Sequence, residues 1–191
     1  MNTWLARAED TVRHLVDLRT RTYEGAEERG SREAVFRRAF ALTTPVALRV
    51  LDAINRGVLE GTGSATVGEP DEDGAGGLSG RWEITWPLLE ETVDRFSGVA
   101  MPSVRIAAIY PIDFSHGHLA VLRAVEPRDP LLAWPFQVTT EMDAERQEAI
   151  LWTIAEGEVH ERVFRAAVNW RVLPQPDPPD TWGGGRIRPA T

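Results

Sequence analysis

The sequence contains no cysteine and no lysine. Without cysteine the chain cannot form disulfides, thiolate zinc sites, iron–sulfur clusters or a cysteine nucleophile. Without lysine it has neither a Schiff-base amine nor the lysine of a phosphate-binding loop. Any chemistry must therefore come from carboxylates, histidines, hydroxyl groups and arginines, or from a bound metal or organic cofactor, and no motif identifies such a cofactor.

Positive charge and long apolar runs are also scarce. The chain has 21 basic residues, all arginine, against 29 acidic ones, which gives a net charge of -8. Nucleic acids and anionic membrane surfaces bind clustered cations, so we expect neither as a partner. No apolar run reaches the ~20 residues of a membrane span. The first residues lack the basic and apolar regions of a secretory signal, so a cytoplasmic location is expected.

The length and the order of patterns predict one α+β domain over residues 1–172. Apolar residues at helical spacing predict N-terminal helices over 4–16, 31–40 and 44–58, with Thr44-Pro45 as the start of the third. Residues 61–80 are rich in glycine and acidic side chains and are interpreted as a flexible loop.

A half-buried strand is predicted just after this loop. Trp82, Ile84 and Trp86 alternate with Glu83 and Thr85. Because successive side chains of a strand point to opposite faces, the tryptophan face is expected to lie against the helices.

Further strands and a long helix complete the predicted domain. The apolar segments 104–112 and 119–125 flank a short polar connection and predict a hairpin, and 135–140 is interpreted as another strand. Asp143 is the predicted cap of a long helix that extends to residue 167. The predicted fold is therefore N-terminal helices packed on an antiparallel sheet, followed by a long C-terminal helix and a tail, 173–191, that is rich in proline and glycine.

Two histidines two residues apart are the leading candidates for a functional site. In an extended segment His116 and His118 point to the same side, and imidazole is a common ligand of zinc, iron, copper and nickel. A metal needs at least one further protein ligand, and the candidates are Asp113, near in sequence, and His160 or Glu156 of the C-terminal helix. The alternative is a pair of turn histidines that bind nothing.

Other groups near this pair extend the hypothesis to catalysis. Asp113 and Tyr110 lie just upstream of His116 and His118 and are candidates for acid–base roles. His14 lies between acidic residues on the first predicted helix, and we interpret it as a surface residue paired to those carboxylates.

Tryptophan is abundant, with seven residues, and one of them lies in the tail. The proline-rich stretch 174–179 predicts an extended arm, and Trp182 is its expected contact with a partner. The leading functional hypothesis is a non-autonomous accessory subunit that binds a partner protein or forms a homo-oligomer. The alternatives are a small-molecule enzyme centred on the histidine hairpin and a metabolite-binding protein without catalysis.

Overall fold

The computed structural model describes residues 3–122, 130–166 and 172–174. Helices and a five-stranded antiparallel sheet make up this part of the chain, so the α+β class is confirmed. The tail, apart from residues 173 and 174, lies outside the described residues. The elements are α1 (Thr3–Thr20), α2 (Arg29–Val58), β1 (Ser64–Glu72), β2 (Leu78–Thr85), α3 (Pro87–Glu90), β3 (Val104–Tyr110), β4 (His118–Leu122), β5 (Pro130–Pro135), α4 (Glu141–Arg146) and α5 (Glu148–Arg165).

The sheet is a meander in which each strand pairs with the next along the chain, in the order β1-β2-β3-β4-β5. All four pairings are antiparallel. In the predicted β3–β4 hairpin, Ala108 lies opposite Leu119 and Ile109 lies opposite His118, which confirms the hairpin. None of the helices in the described ranges combines the length and apolar character that a membrane crossing requires.

The predicted tryptophan face of β2 forms the centre of the core. Trp82, Ile84 and Trp86 are almost completely buried. The Trp82 ring stacks on Phe40 of α2, with ring centroids 4.3 Å apart and an interplanar angle of 7°. Trp82 Nε1 also donates a hydrogen bond to Thr44 Oγ1 at 3.0 Å, so its polar atom is satisfied inside the core.

The opposite face of β2 is polar and is held by an ion pair across the strands. Glu83 lies opposite Arg105 of β3, and Arg105 Nε donates to Glu83 Oε1 at 2.6 Å. A charge in an otherwise apolar strand needs a partner, and Glu83 provides it for Arg105.

The predicted helix break at Thr44-Pro45 is wrong, because α2 is continuous through Pro45. Proline lacks the backbone N–H that a helix interior normally uses. The apolar stripe of α2 nevertheless continues on both sides of Pro45, from Phe36 to Ile54, and is buried throughout. Packing of this stripe outweighs the lost hydrogen bond.

The interpretation of 61–80 as a loop is also wrong for most of its length. Ser64–Glu72 forms β1, which pairs with β2 from Ser64 opposite Thr85 to Glu72 opposite Leu78. Most side chains of β1 are exposed, so its stability comes from backbone hydrogen bonds to β2 and not from an apolar pattern. Asp73 closes the turn to β2 by accepting from the backbone N–H groups of Ala75 and Gly77.

The strand expected at 135–140 lies earlier in the chain. β5 ends at Pro135, and residues 136–138 form a buried connection to α4.

The first helix of the C-terminal region is capped by Thr140 and not by Asp143. Thr140 Oγ1 accepts from the Asp143 N–H at 3.2 Å, and Asp143 Oδ2 accepts from the Thr140 N–H at 3.0 Å, so the two residues form a capping box.

Trp82 should be the single most sensitive core position of the sheet. We expect Trp82→Ala to lower the free energy of unfolding by about 3–5 kcal/mol, because it removes a buried indole and leaves a cavity against Phe40. Trp152→Ala is the matched control, since Trp152 is 37% exposed. Denaturant-induced unfolding followed by circular dichroism measures both; equal losses would contradict the assigned core.

Candidate metal centre

Three histidines from two distant segments meet at one point of the structure. His14 of α1 lies beside His116 and His118, and one ligand nitrogen from each lies within 4.8 Å of the other two. The ring centroids are 4.3 Å apart for His14 and His116, 4.7 Å for His116 and His118, and 5.9 Å for His14 and His118. Nitrogens bound to one tetrahedral metal ion at about 2.1 Å lie about 3.4 Å apart. Small side-chain rotations therefore suffice to bring all three onto a common ion.

The spacing of His116 and His118 is enforced by the glycine between them. A Cβ at Gly117 would lie 2.6 Å from Cδ2 of Phe36 and 3.0 Å from the Tyr23 hydroxyl. Only glycine therefore fits here without movement of the core. His118 begins β4, opposite Ile109, so the sheet fixes the position of His118 directly. His116 is fixed indirectly, because it lies two residues before His118 in the chain.

The centre contains buried nitrogens that no protein group satisfies. His116 is fully buried and His118 is 9% exposed. His14 Nδ1 and His116 Nε2 are buried and have no hydrogen-bond partner among the described residues. His116 Nδ1 lies 2.7 Å from Ser115 Oγ, so Ser115 occupies one ring nitrogen and leaves Nε2 available to a ligand. Buried polar atoms nearly always have a partner, so two neighbouring unpartnered nitrogens are candidate ligand atoms for an ion.

The cluster is electrically neutral near pH 7. Burial and the neighbouring His14 together lower the pKa of His116 to about 4, against the opposing charge of Asp17. Burial, His116 and His14 together lower the pKa of His118 to about 4. Burial also lowers the pKa of His14, against the opposing charge of Asp17. Neutral imidazole is the form that binds metals, so the site is ready to accept an ion without first losing protons.

Asp17 holds α1 against the rest of the protein. Its carboxylate is buried and accepts three hydrogen bonds, from Thr22 Oγ1 at 2.8 Å, the Glu24 N–H at 2.9 Å and Gln137 Nε2 at 3.1 Å. These donors belong to the turn after α1 and to the connection before α4. One side chain therefore joins three segments next to His14.

Arg13 provides a second attachment on the same side of α1. Arg13 Nη2 donates to Glu24 Oε1 at 2.6 Å, and Nη1 lies 3.4 Å from Asp143 Oδ1 and 3.5 Å from Asp10 Oδ1. The interpretation of His14 as a surface residue paired to Asp10 and Asp17 is therefore wrong. Those carboxylates bond other groups, and His14 turns inward to the two imidazoles.

Of the residues predicted from the sequence, the structure brings together His116 and His118. Tyr110 is buried in the core, with its ring 6.3 Å from Tyr23, and Asp113 is exposed. His160 is not part of the group formed by His14, and lines a separate apolar depression of about 450 Å³ between α2 and α5. Trp182 lies outside the described residues.

His14 was missed because the orientation of α1 was inferred from its apolar residues. Val12, Leu15 and Val16 recur at helical spacing, which is typical of a buried stripe. In the structure they are exposed by 60%, 56% and 53%, while Arg13, His14 and Asp17 face the protein. Periodicity alone could not show this reversal. The polar residues close to His14, such as Arg13 and Asp17, were the only feature of the sequence that could have suggested it.

Comparison of the chain with protein-family models, with curated proteins and with solved structures gave no match. Function is therefore inferred from the residues and their geometry.

The metal-free protein should lose stability in mild acid. The ordinary histidine pKa is 6.5, whereas His116 and His118 have values of about 4 in the folded protein. Below pH 6.5 the unfolded chain takes up protons at these histidines that the folded chain does not. The free energy of unfolding should therefore fall as the pH is lowered from 6.5 to 4. Above pH 6.5 these two groups should not affect it.

Thermal melts of chelator-treated protein from pH 7.5 to 4.5 measure this effect. The His116→Asn/His118→Asn double variant should show a shallower pH dependence than the wild type. His160→Asn, outside the cluster, is the control and should keep the wild-type slope. Parallel curves for the double variant and the wild type would show that the two imidazoles are not shielded from water.

Proposed function

We propose that this protein is a transition-metal-dependent enzyme whose ion is held by His14, His116 and His118. The observation that carries the proposal is the convergence of three imidazoles from α1, the β3–β4 connection and the start of β4, with ligand atoms within 4.8 Å. The unpartnered buried nitrogens of His14 and His116 support it. An accidental cluster would leave these nitrogens unsatisfied at a cost in stability of about 1–3 kcal/mol each.

The ligand chemistry fits zinc among other transition metals, and a zinc ion here would support hydrolysis. Three imidazoles suit zinc, iron, copper or nickel, whereas calcium and magnesium prefer oxygen ligands. Three protein ligands leave one position of a tetrahedral ion open, and a zinc ion in such a site lowers the pKa of a coordinated water to near 7. The reaction class that fits is metal-assisted hydrolysis or hydration of a small molecule.

Two protein groups would tune this centre without binding the ion. Ser115 contacts His116 Nδ1 and so selects Nε2 as the ligand atom. Asp17 has both oxygens engaged in hydrogen bonds, so it is poorly placed to accept a proton. Its negative charge instead favours a cation near His14 and His116. Asp113, exposed just upstream of the cluster, remains the candidate acid–base group.

Metal binding tests the proposal directly. Elemental analysis of purified protein and calorimetric titration of chelator-treated protein with Zn²⁺ should both give one ion per chain. His14→Ala, His116→Ala and His118→Ala should each weaken Zn²⁺ binding by at least about 100-fold, because each removes one of three ligands. Titrations with Fe²⁺, Cu²⁺ and Ni²⁺ rank the alternative ions.

His160→Ala is the matched control, since it removes an imidazole outside the cluster. It should bind Zn²⁺ like the wild type, and circular dichroism should show that all four variants are folded. Wild-type affinity in His14→Ala, or loss of binding in His160→Ala, would contradict the assigned ligand set.

The exposed apolar side of α1 supports a second function, that of an accessory subunit. Val12, Leu15 and Val16 lie three and four positions apart and form one continuous stripe on the outer side of the helix. An amphipathic helix that turns its apolar side outward can place it in a groove of a partner or against a second copy of the chain. In this proposal Trp182 of the tail adds a further contact.

Light scattering after size-exclusion chromatography tests the homo-oligomeric form of this function. We expect the wild type to elute as an oligomer and Val12→Ser/Leu15→Ser to shift it to a monomer. Phe164→Ser is the control, because Phe164 is also exposed but lies on α5. Truncation after residue 173 examines the tail separately. A wild type that stays monomeric at high concentration would exclude self-association.

A further inference from the structure

We propose that a depression beside the metal centre binds an oxyanion, the carboxylate or phosphate group of the substrate. The depression has a volume of about 440 Å³, and its walls include Leu18, Arg21, Arg32, Phe114 and Ser115. Its role in substrate choice rests on the proposed enzyme function, whereas the binding of the anion itself does not need the metal.

Two arginines line this depression. Neither Arg21 nor Arg32 forms an ion pair within the described part of the chain. The chain carries 29 acidic residues against 21 arginines, so carboxylates are in excess. An anion in the depression would supply the negative charge that neither guanidinium obtains from an ion pair.

Arg32 has a donor nitrogen that no described residue satisfies. Its Nη1 donates to the Arg21 carbonyl at 3.4 Å, which links the two residues. Its Nε is buried and has no hydrogen-bond partner in the ranges that the structure covers. Nε and Nη2 form the side of a guanidinium that binds the two oxygens of a carboxylate or phosphate in parallel. The unsatisfied Nε and the positive charge of the guanidinium together favour an oxyanion.

The backbone holds Arg21 at this place. Arg21 follows α1 and has a φ of 58°, a left-handed conformation that is costly for a residue with a side chain. The turn that requires it is closed by hydrogen bonds from the Thr22 N–H to the Asp17 carbonyl and between Tyr23 and Ala26. Strain of this kind is tolerated where the surrounding structure fixes the backbone.

The walls of the depression lead to the three histidines. Ser115 Oγ lies 2.7 Å from His116 Nδ1, and the Phe114 ring lies 5.4 Å from the His118 ring. Leu18 follows His14 by one helical turn on α1. A substrate anchored by the arginines would thus extend toward the ion. The substrate class is a small molecule with a carboxylate or phosphate group close to a hydrolysable bond.

Asp113 also lines the depression and, like the arginines, has no ion pair in the described ranges. Its carboxylate opposes an incoming anion. Neutralising it should therefore strengthen anion binding, an effect opposite in sign to the loss of an arginine. The affinity for the anion should therefore rise in a variant that neutralises Asp113 and fall in one that loses an arginine.

The experiment uses metal-free protein at low ionic strength, titrated with acetate and with inorganic phosphate. The arginine Nε–Hε resonances are followed by nuclear magnetic resonance, and that of Arg32 is assigned by its loss in Arg32→Gln. We expect the Arg32 resonance to shift saturably. Arg32→Gln should raise the dissociation constant about tenfold or more, and Asp113→Asn should lower it. Tighter binding of one probe identifies a carboxylate or a phosphate site.

Arg38→Gln is the control, because Arg38 is an exposed arginine of α2 outside the depression. An equal loss in Arg38→Gln and Arg32→Gln, or an Arg32 resonance that does not move, would overturn the inference. His116→Ala separates the two proposals: it should lose Zn²⁺ binding and keep anion binding. Zn²⁺ binding without anion binding would leave the metal centre standing and remove the anion site.

Discussion

The position of the whole candidate site depends on the buried carboxylate of Asp17. It accepts hydrogen bonds from Thr22, the Glu24 backbone and Gln137, and so joins α1, the turn that follows it and the connection before α4. A buried carboxylate is stable only when its oxygens are satisfied. This requirement makes the arrangement specific, because three donors from outside α1 converge on one of its residues. His14, one turn earlier, is thereby placed over His116 and His118.

The site has two halves, His116 and His118 on the sheet side and His14 on α1, and they are attached to the rest of the protein in different ways. His116 and His118 belong to the rigid half, where Gly117 packs on Phe36 and the Tyr23 hydroxyl donates to the Phe136 carbonyl at 2.5 Å. The hydrogen bonds of Arg13 and Asp17 attach α1 through polar contacts, whereas Val12, Leu15 and Val16 are exposed. Partly exposed ion pairs stabilise weakly, so α1 should open at lower free energy than the sheet. An ion shared by both halves would add its binding energy to the attachment of α1.

This coupling connects the two proposed functions. The same helix carries His14 inward, Val12, Leu15 and Val16 outward, and Leu18 and the turn at Arg21 beside the anion depression. A partner that covers the outer stripe would therefore also hold α1 in place. Metal binding, substrate binding and association with a partner would then stabilise one another through the position of a single helix.

Composition and local pattern determined the class of this protein and much of its sheet. The absence of cysteine and lysine restricted the chemistry, the alternation around Trp82 identified the buried face of β2, and the two-residue spacing placed His116 beside His118. Such features depend on neighbours in the chain, so periodicity reveals them. Only the tertiary structure decided that α2 continues through Pro45, that residues 64–72 form an edge strand, and that α1 turns its polar side inward toward the other two histidines.

Each of these features depends on partners far away in sequence. The helix α2 depends on the packing of its buried stripe, the edge strand on backbone bonds to β2, and the orientation of α1 on the donors that surround Asp17. Hydrophobic periodicity carries no information about such partners, and the third imidazole could therefore be found only in the folded chain.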